Sequence, residues 1–467
     1  MVDFTPRAGR LAPLLAPALG LGLLALLWPG VATYDTVVQY AQAVSGQVDD
    51  WHPPILVRLW QGLRALGLDG TGPLLALQFG LFWSGLGLFA LGLREAGRPR
   101  LAAATALVGL VPPLLGWMFA VLKDGQLIGA AVMATGLVAR YRLACRPLPR
   151  WVGLIVALLL GYALLLRANA VFGMVPLALG LACWGGLRHP LARLALLAAA
   201  TLAALAAAGP INHRVLGADR SLVEGTLPLF DMAGIAHRAG LPSLPQLPPA
   251  AWRAAEARGC YTPFFWDSFG DARRCGAIGT RLIFDRDEEA PSIFADWLGL
   301  VVRHPLAYAA HRLGHLNATL RIAWPADERL ATAPARSQPS PARIGTPARA
   351  AAAVIAHIAT IAARTPLGAP WLWLVAALGL LWMLAATPAQ PARSLGLTLA
   401  WSAVLQTASF AVVSIASDLR YHLWLITATA LAALCAAACR DVPPRRRRAA
   451  LATLAAAAAL SVTLRGV

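Results

Sequence analysis

Tyr34-Asp-Thr-Val-Val-Gln-Tyr-Ala-Gln-Ala-Val-Ser-Gly-Gln-Val-Asp-Asp-Trp-His-Pro-Pro-Ile-Leu-Val-Arg-Leu-Trp60 is the first polar interruption in a chain otherwise made of apolar runs, and those runs decide the fold. On its N-terminal side residues 11 to 31 are apolar for about the 20 residues needed to cross roughly 30 Å of hydrocarbon. Asp35 therefore stands close to a membrane surface, where positioning and partial desolvation can make a carboxylate a base. Gln39 follows one helical turn later, on the same side of a helix. The Asp50-Trp51-His52-Pro53-Pro54 cluster stops that helix, because proline lacks a donor and drives the residue before it out of the α region. The two prolines suit the start of a new helix, and 55 to 66 reads as amphipathic, with Leu56, Leu59, Trp60 and Leu63 on one face.

Composition points the same way. The 467 residues are 58% hydrophobic and only 13% charged, with a mean hydropathy of +0.62, which excludes an ordinary soluble globule and predicts an all-α polytopic membrane protein. A net charge of +18 would suggest nucleic acid in a soluble chain. Here the arginines punctuate apolar runs, so the charge reads as topology and no nucleic-acid partner is expected. Lys123 is the one lysine among 40 basic residues. Arg7 and Arg10 precede the first apolar run without a small-residue cleavage site, so that run reads as a retained helix.

Further apolar runs fall near 72–93, 101–121, 125–143, 151–166, 170–187 and 194–211, then 368–387, 395–416, 423–439 and 449–465, giving about eleven spans. With the N-terminus inside, the inward loops hold Arg94, Arg98, Arg100, Arg140, Arg142, Arg146, Arg150, Arg188, Arg193, Arg393, Arg440 and Arg445 to Arg448, against only Asp3, Glu95 and Asp441. That asymmetry satisfies the positive-inside rule. The same parity puts Asp35, Asp49, Asp50, His52, Lys123, Asp124, Arg167, Asn169, Asp418 and Arg420 on the outer side. Such insertions are costly beside hydrocarbon unless they face one another or water, so one shared polar site is expected there.

Three parts follow: a transmembrane module over 1–211, an extracytoplasmic subdomain over 212–367, and a second transmembrane module over 368–467. The middle part is too long for a plain loop. Leu229, Phe230, Ile235, Trp252, Phe264, Phe265 and Trp266 are its core signals. Cys260 and Cys275 lie in it, and an oxidising outer location predicts a disulfide worth about 3 kcal/mol. The other four cysteines, in or beside spans, read as packing residues. Residues 303–324 read as an amphipathic helix lying along the interface, 325–349 as a flexible linker, and the run 350–363 as an interfacial or re-entrant segment too short for a span.

Each polar motif has a plain alternative. Asp35 could be a helix-end carboxylate, and His52 a hydrogen-bonding member of the Pro-Pro turn. Lys123 and Asp124 read as a pair closing a hairpin or as a lysine placed for a phosphate. Arg167 with Asn169 reads as a helix C-terminal cation, and Asp418, Arg420 and Tyr421 as an interfacial ion pair with an aromatic belt. His304, His311 and His315 share a helical face at a permissible metal spacing, but without an acid in the pattern no metal site is assigned. No Gly-rich phosphate loop or nucleophile elbow is present.

Tyr34-Asp35-Thr36-Val37-Val38-Gln39, Trp51-His52-Pro53-Pro54, Leu122-Lys123-Asp124, Arg167-Ala168-Asn169, Asp418-Leu419-Arg420-Tyr421 and the Cys260 to Cys275 segment together resemble an uncharacterised bacterial branch of the GT-C class of integral-membrane glycosyltransferases, the class of the protein mannosyltransferases and aminoarabinose transferases. Where the mannosyltransferase type carries an Asp-Glu pair in the first loop, this chain has Asp35 alone. The resemblance implies an inverting transfer of a sugar from a polyprenyl-phosphate donor to an envelope glycan, lipid or protein outside the bacterial cytoplasmic membrane. Asp35 is then the base, and Lys123, Arg167 and Arg420 stabilise the leaving phosphate. Gln39, His52, Asp124, Asn169 and Tyr421 complete the substrate-binding set. No cofactor is assigned, and a divalent cation stays open. The alternative from another class is a transporter or flippase of a lipid-linked saccharide, which would use the basic site without a base and would carry mid-membrane polar residues and repeated halves.

Overall fold

The apolar runs fold as helices, and among the described residues sheet pairing is confined to isolated bridges. The structure is a computed structural model that describes residues 11–286, 291–323, 330–345 and 350–464. Arg7 and Arg10 lie outside them. The helices used below are α1 (Leu15–Leu27), α2 (Tyr34–Ser45), α3 (Pro54–Ala65), α4 (Gly72–Glu95), α5 (Pro99–Val108), α6 (Pro112–Met118), α7 (Lys123–Leu143), α8 (Arg150–Leu166), α9 (Val171–Leu181) and α10 (Pro190–Pro210). After them come α11 (Thr226–Ala239), α12 (Pro249–Ala257), α13 (Ile293–Arg303), α14 (Pro305–Leu320), α15 (Ala350–Arg364), α16 (Pro370–Ala385), α17 (Pro391–Val413), α18 (Leu423–Ala438) and α19 (Pro444–Leu464).

Among the described residues, five helical stretches are long and apolar enough to cross a membrane: α4, α10 continued to Val215, α17, α18 with the turn before it, and α19. No residue of α10 is buried, and of α19 only Ser461. Long apolar stretches left this exposed suit lipid and not water. The chain is thus all-α with several helices fit to span a bilayer; of the eleven expected spans, those holding α1, α8, α9 and α16 are apolar helices of only 10–17 residues. The run 101–121 is not one straight helix. It bends by 58° between α5 and α6, because Val111 takes the extended conformation that a following proline imposes.

Helix α4 is 24 residues long and so rises about 36 Å. It packs on α7 through glycines. A Cβ on Gly136 would lie 2.1 Å from the Gly85 oxygen, and one on Gly85 2.6 Å from the Met133 nitrogen, so only glycine lets the two backbones meet. Arginines gather at the Glu95 end of this pair. Arg146 pairs with Glu95 at 3.4 Å, and Arg142 donates to the carbonyls of Gly180 and Leu181, the last residues of α9. Arg393 likewise caps Leu384 and Ala385 at the end of α16. Cations on helix C-terminal carbonyls are favourable, and they stand a membrane thickness from the other end of α4.

The chain divides into two compact units. The first runs through Asp219 and takes in Ala331–Thr407 and Leu419–Val462; the second is built from Arg220–Leu330 and Ala408–Asp418. The stretch expected as one subdomain over 212–367 is therefore split. Helix α15 belongs to the first unit, burying Ala352, Ala356, Ala359, Ala362 and Ala363. Ala359 approaches so near α6 that a Cβ on Gly116 would meet it at 2.3 Å. Nor is 330–345 a loose linker: Ala331, Ala333 and Ile344 are buried, and Gln338 and Ser337 hydrogen-bond the backbone of Ala32. The rest of 325–349, at 325–329 and 346–349, lies outside the described residues.

In the second unit Leu229, Phe230, Ile235 and Trp252 are fully buried as expected, whereas Phe264, Phe265 and Trp266 are only half-buried. Those three contribute backbone instead. Trp266 donates to Ile415, Phe265 bridges Ala416, and the Phe264 carbonyl accepts from Ser417. The Cys260–Cys275 disulfide forms, its Cα atoms 5.9 Å apart. Of the four remaining cysteines, Cys145 and Cys183 are exposed and do not pack; both sit in left-handed turns at helix ends.

The helix expected over 303–324 starts at Pro305, after a break at His304, and it turns its polar face inward. His311, Arg312 and His315 are buried while Leu306 and Leu313 are exposed. Buried Asp231 is the reason. It accepts from His311 at 2.9 Å, from Trp297 at 2.9 Å and from Arg312. Tyr261 lies 2.8 Å from the other nitrogen of His311, and His315 donates to the Pro263 carbonyl at 2.7 Å. These histidines are thus consumed by local partners, and no metal-ligating cluster of three forms among the described residues. Asp231→Ala strands a buried arginine and is expected to cost about 3–5 kcal/mol. An unchanged unfolding midpoint of the variant in detergent would contradict that.

Candidate functional site

The site grows from the end of α2. Thr33 and Thr36 form a capping box that starts the helix, which sets Asp35 in its first turn, where the helix N-terminus favours a negative charge. The Thr36 hydroxyl also donates to the Val121 carbonyl at 2.7 Å. Beside it Val31 exchanges backbone hydrogen bonds with 119–121, at 3.0 and 2.9 Å. Lys123 and Asp124 follow at once at the start of α7. Sequence reading missed Thr36, whose signal was the Thr-x-x-Thr spacing that a capping box uses.

Other ties fix the remaining members. His52 is buried in a loop clasped by Asp50 and Val48, which exchange backbone hydrogen bonds with Asp219 at 3.1 and 2.8 Å. Arg58 of α3 holds the carbonyls of Leu216 and Gly217 next to it. The Pro53-Pro54 helix start appears as expected, with Leu56 and Trp60 buried. A brace that the sequence did not reveal joins α2 to α3: Tyr40, Arg64 and Asp69 hydrogen-bond one another. On the far side Arg167 ends α8 and leads into α9, while Arg420 and Tyr421 lead into α18. These are also tied: Trp424 donates to the Ser402 hydroxyl at 2.9 Å, and Ser402 donates to the Gly173 carbonyl at 2.7 Å.

The residues assigned to the base and substrate-binding set lie together, whereas Asp50 pairs with His213 at 3.4 Å, Asp49 accepts from the Trp51 backbone, and Asp418 falls in the second unit. Asp35 Oδ2 lies 3.2 Å from Arg420 and 3.5 Å from Lys123. Lys123 Nζ is 3.4 Å from His52 Nδ1. Arg167 pairs with Asp124 and donates to Asn169 Oδ1 at 3.3 Å. The Tyr421 ring lies under the Arg167 guanidinium at 4.0 Å and near that of Arg420 at 5.3 Å. Gln39, also buried, donates to the Asp35 carbonyl at 3.0 Å, which fixes the orientation of its amide and leaves its oxygen without a hydrogen-bond partner. Lys123 meets Asp35 rather than its neighbour Asp124, and Arg420 reaches the same carboxylate from 385 positions away.

Lys123, Asp35, Arg167 and Arg420 keep 14–17% of their side-chain surface, and Asp124 5%. The cations are thus withdrawn from bulk water but still reachable. Burial pushes the Asp35 carboxyl up, yet Lys123, Arg420, His52 and Arg167 together overcome it and hold the group well below the usual carboxylate range. His52 is pushed down to about 4, by burial first and then by the Lys123 charge. It is therefore neutral, with Nδ1 free to accept from the ammonium.

The sign of the resulting pH effect is fixed. Above the ordinary histidine value of 6.5 neither state is protonated; as pH falls toward 4 the unfolded chain takes the proton and the native chain does not, so stability falls. His52→Gln is expected to lose less thermal stability than the native chain between about pH 7 and pH 5, and equal losses would contradict the assignment.

Three cations against two carboxylates leave one positive charge, so the arrangement suits an anion. No family model, curated protein or solved structure matches this chain.

Proposed function

We propose that this chain is an inverting glycosyltransferase of the GT-C type, moving a sugar from a polyprenyl-phosphate donor to a glycan, lipid or protein of the envelope at the outer face of the bacterial cytoplasmic membrane. The observation that carries the reading is the meeting of one acid, Asp35, with Lys123 and Arg420 beside the Arg167–Asp124 pair. The proposed topology has about eleven crossings, short helices included. With the arginines on the cytoplasmic side, the Gly72 end of α4 faces outward; it lies beside the start of α7, where Gln126 donates to the Leu74 carbonyl.

In the proposed reaction the acceptor hydroxyl attacks the anomeric carbon from the side opposite the phosphate. Its proton goes to Asp35, and the bond from that carbon to the phosphate oxygen breaks with its electron pair on the oxygen, inverting the centre. Lys123, Arg167 and Arg420 meet the developing negative charge. Asp35 and Asp124 are each held by cationic side chains, a donor set suited to a phosphate anion rather than to a divalent cation, and no step is routed through a metal. The test is mass spectrometry of envelope glycans, lipids and proteins from cells carrying the native chain and cells carrying Asp35→Asn. A sugar-sized mass missing in the variant supports transfer and names both sugar and acceptor; identical profiles would remove the proposal.

A further inference from the structure

The two carboxylates of the site are held differently. Asp124 is the more buried, and its arginine is fixed from two sides, by the carboxylate and by the Tyr421 ring. Lys123 and Arg420 instead both reach a single oxygen, Asp35 Oδ2, at 3.5 and 3.2 Å, longer than the usual 2.7–2.9 Å of a charged hydrogen bond. One pair is a fixture; the other is a loose sharing of one acceptor by two donors.

We propose that Lys123 and Arg420 form a phosphate site that Asp35 fills in the resting protein as an internal stand-in, and that an arriving phosphate anion displaces the carboxylate and thereby frees it. The inference rests on the reading above that the ligand carries a phosphate. A phosphate offers separate oxygens to the ammonium and to the planar guanidinium, so it satisfies both donors better than one shared oxygen does. The displaced carboxylate keeps a stabilised place, because it sits in the first turn of α2, whose backbone is held by Thr36 on Val121 and by Gln39 on the Asp35 carbonyl. The exchange needs a side-chain rotation and no movement of the helix.

The consequence is a coupling between binding and reactivity. While Asp35 is shared by Lys123 and Arg420, with His52 and Arg167 close by, those groups outweigh burial and make its carboxylate a weak base. Once a phosphate takes the two nearest cations, the opposing effect of burial is left and the carboxylate becomes a competent proton acceptor. The acid is thus armed by the donor's arrival, which spares the site from activating water when no donor is bound.

The test uses the full chain in detergent, titrated with geranyl phosphate and, separately, inorganic phosphate. Removing the internal competitor should tighten binding: Asp35→Asn is expected to bind at least about tenfold more tightly than the native chain, and Asp35→Ser, run beside it with its unfolding midpoint, should show the same gain. Adding Lys123→Met to Asp35→Asn should return the affinity toward native. A gain with both probes assigns the site to the phosphate group itself, and a gain confined to geranyl phosphate assigns it to a lipid-linked phosphate; either supports the proposal. If native and variants bind alike, or the variants bind more weakly, displacement is overturned while the phosphate reading stands. If no form binds either probe, both are overturned.

Discussion

Replacing Asp35 by Asn is expected to reduce sugar transfer by about 10²–10⁴-fold, the usual contribution of a positioned base. The amide keeps the shape of the side chain but can no longer take the acceptor proton. It also gives up a charge shared by Lys123 and Arg420, so donor binding should persist or tighten. Transfer is best read as release of polyprenyl phosphate from a labelled donor, with the donor saturating. A loss confined to kcat is the expected signature. An Asn variant that turns over at the native rate would take the base role away from Asp35, whatever its affinity.

Lys123→Met is the second large effect, expected at about 10²–10³-fold in turnover, the scale found when one preorganised charge donor is removed from a developing anion. Met keeps the length and apolar stem of the lysine, so the comparison isolates the ammonium. Lys123→Arg should recover only part of the loss. His52 Nδ1 and Asp35 Oδ2 approach the ammonium at 3.4 and 3.5 Å from two directions, an arrangement for a compact point charge and not for a planar fork. Full activity in Lys123→Met, with Arg420 intact, would mean that the leaving phosphate is stabilised elsewhere.

Much of the site was legible because membranes make polar residues conspicuous. Asp35, Lys123, Arg167 and Arg420 stand out against apolar runs, and the alternation of spans alone assigned them to one side. The pairings were not legible. Whether Lys123 meets Asp124 next door or Asp35 far away depends on the rotation of α7 about its axis, which hydropathy does not encode. The bend between α5 and α6 escaped because 101–121 is apolar throughout, and window averaging passes over a Val-Pro step whose effect is purely conformational. In the second unit, Asp231 is unremarkable in the sequence. Only packing shows that it gathers His311, Arg312 and Trp297, turning a helix that looked fit for an interface polar side inward. The alanines of α15 likewise read as too short a span, when their use is close approach to Gly116.

The backbone ties around the site have a mechanical meaning. Asp35, Lys123 and Asp124 ride on one body, knit by Val31 and Thr36 to 119–121, while Arg167 and Arg420 adjoin helices knit by Gly173, Ser402 and Trp424. Two salt bridges, Asp35–Arg420 and Asp124–Arg167, close the seam between these bodies. Both pairs are withdrawn from bulk water, and salt screens such charges little, so this junction should hold at ionic strengths that dissolve surface ion pairs.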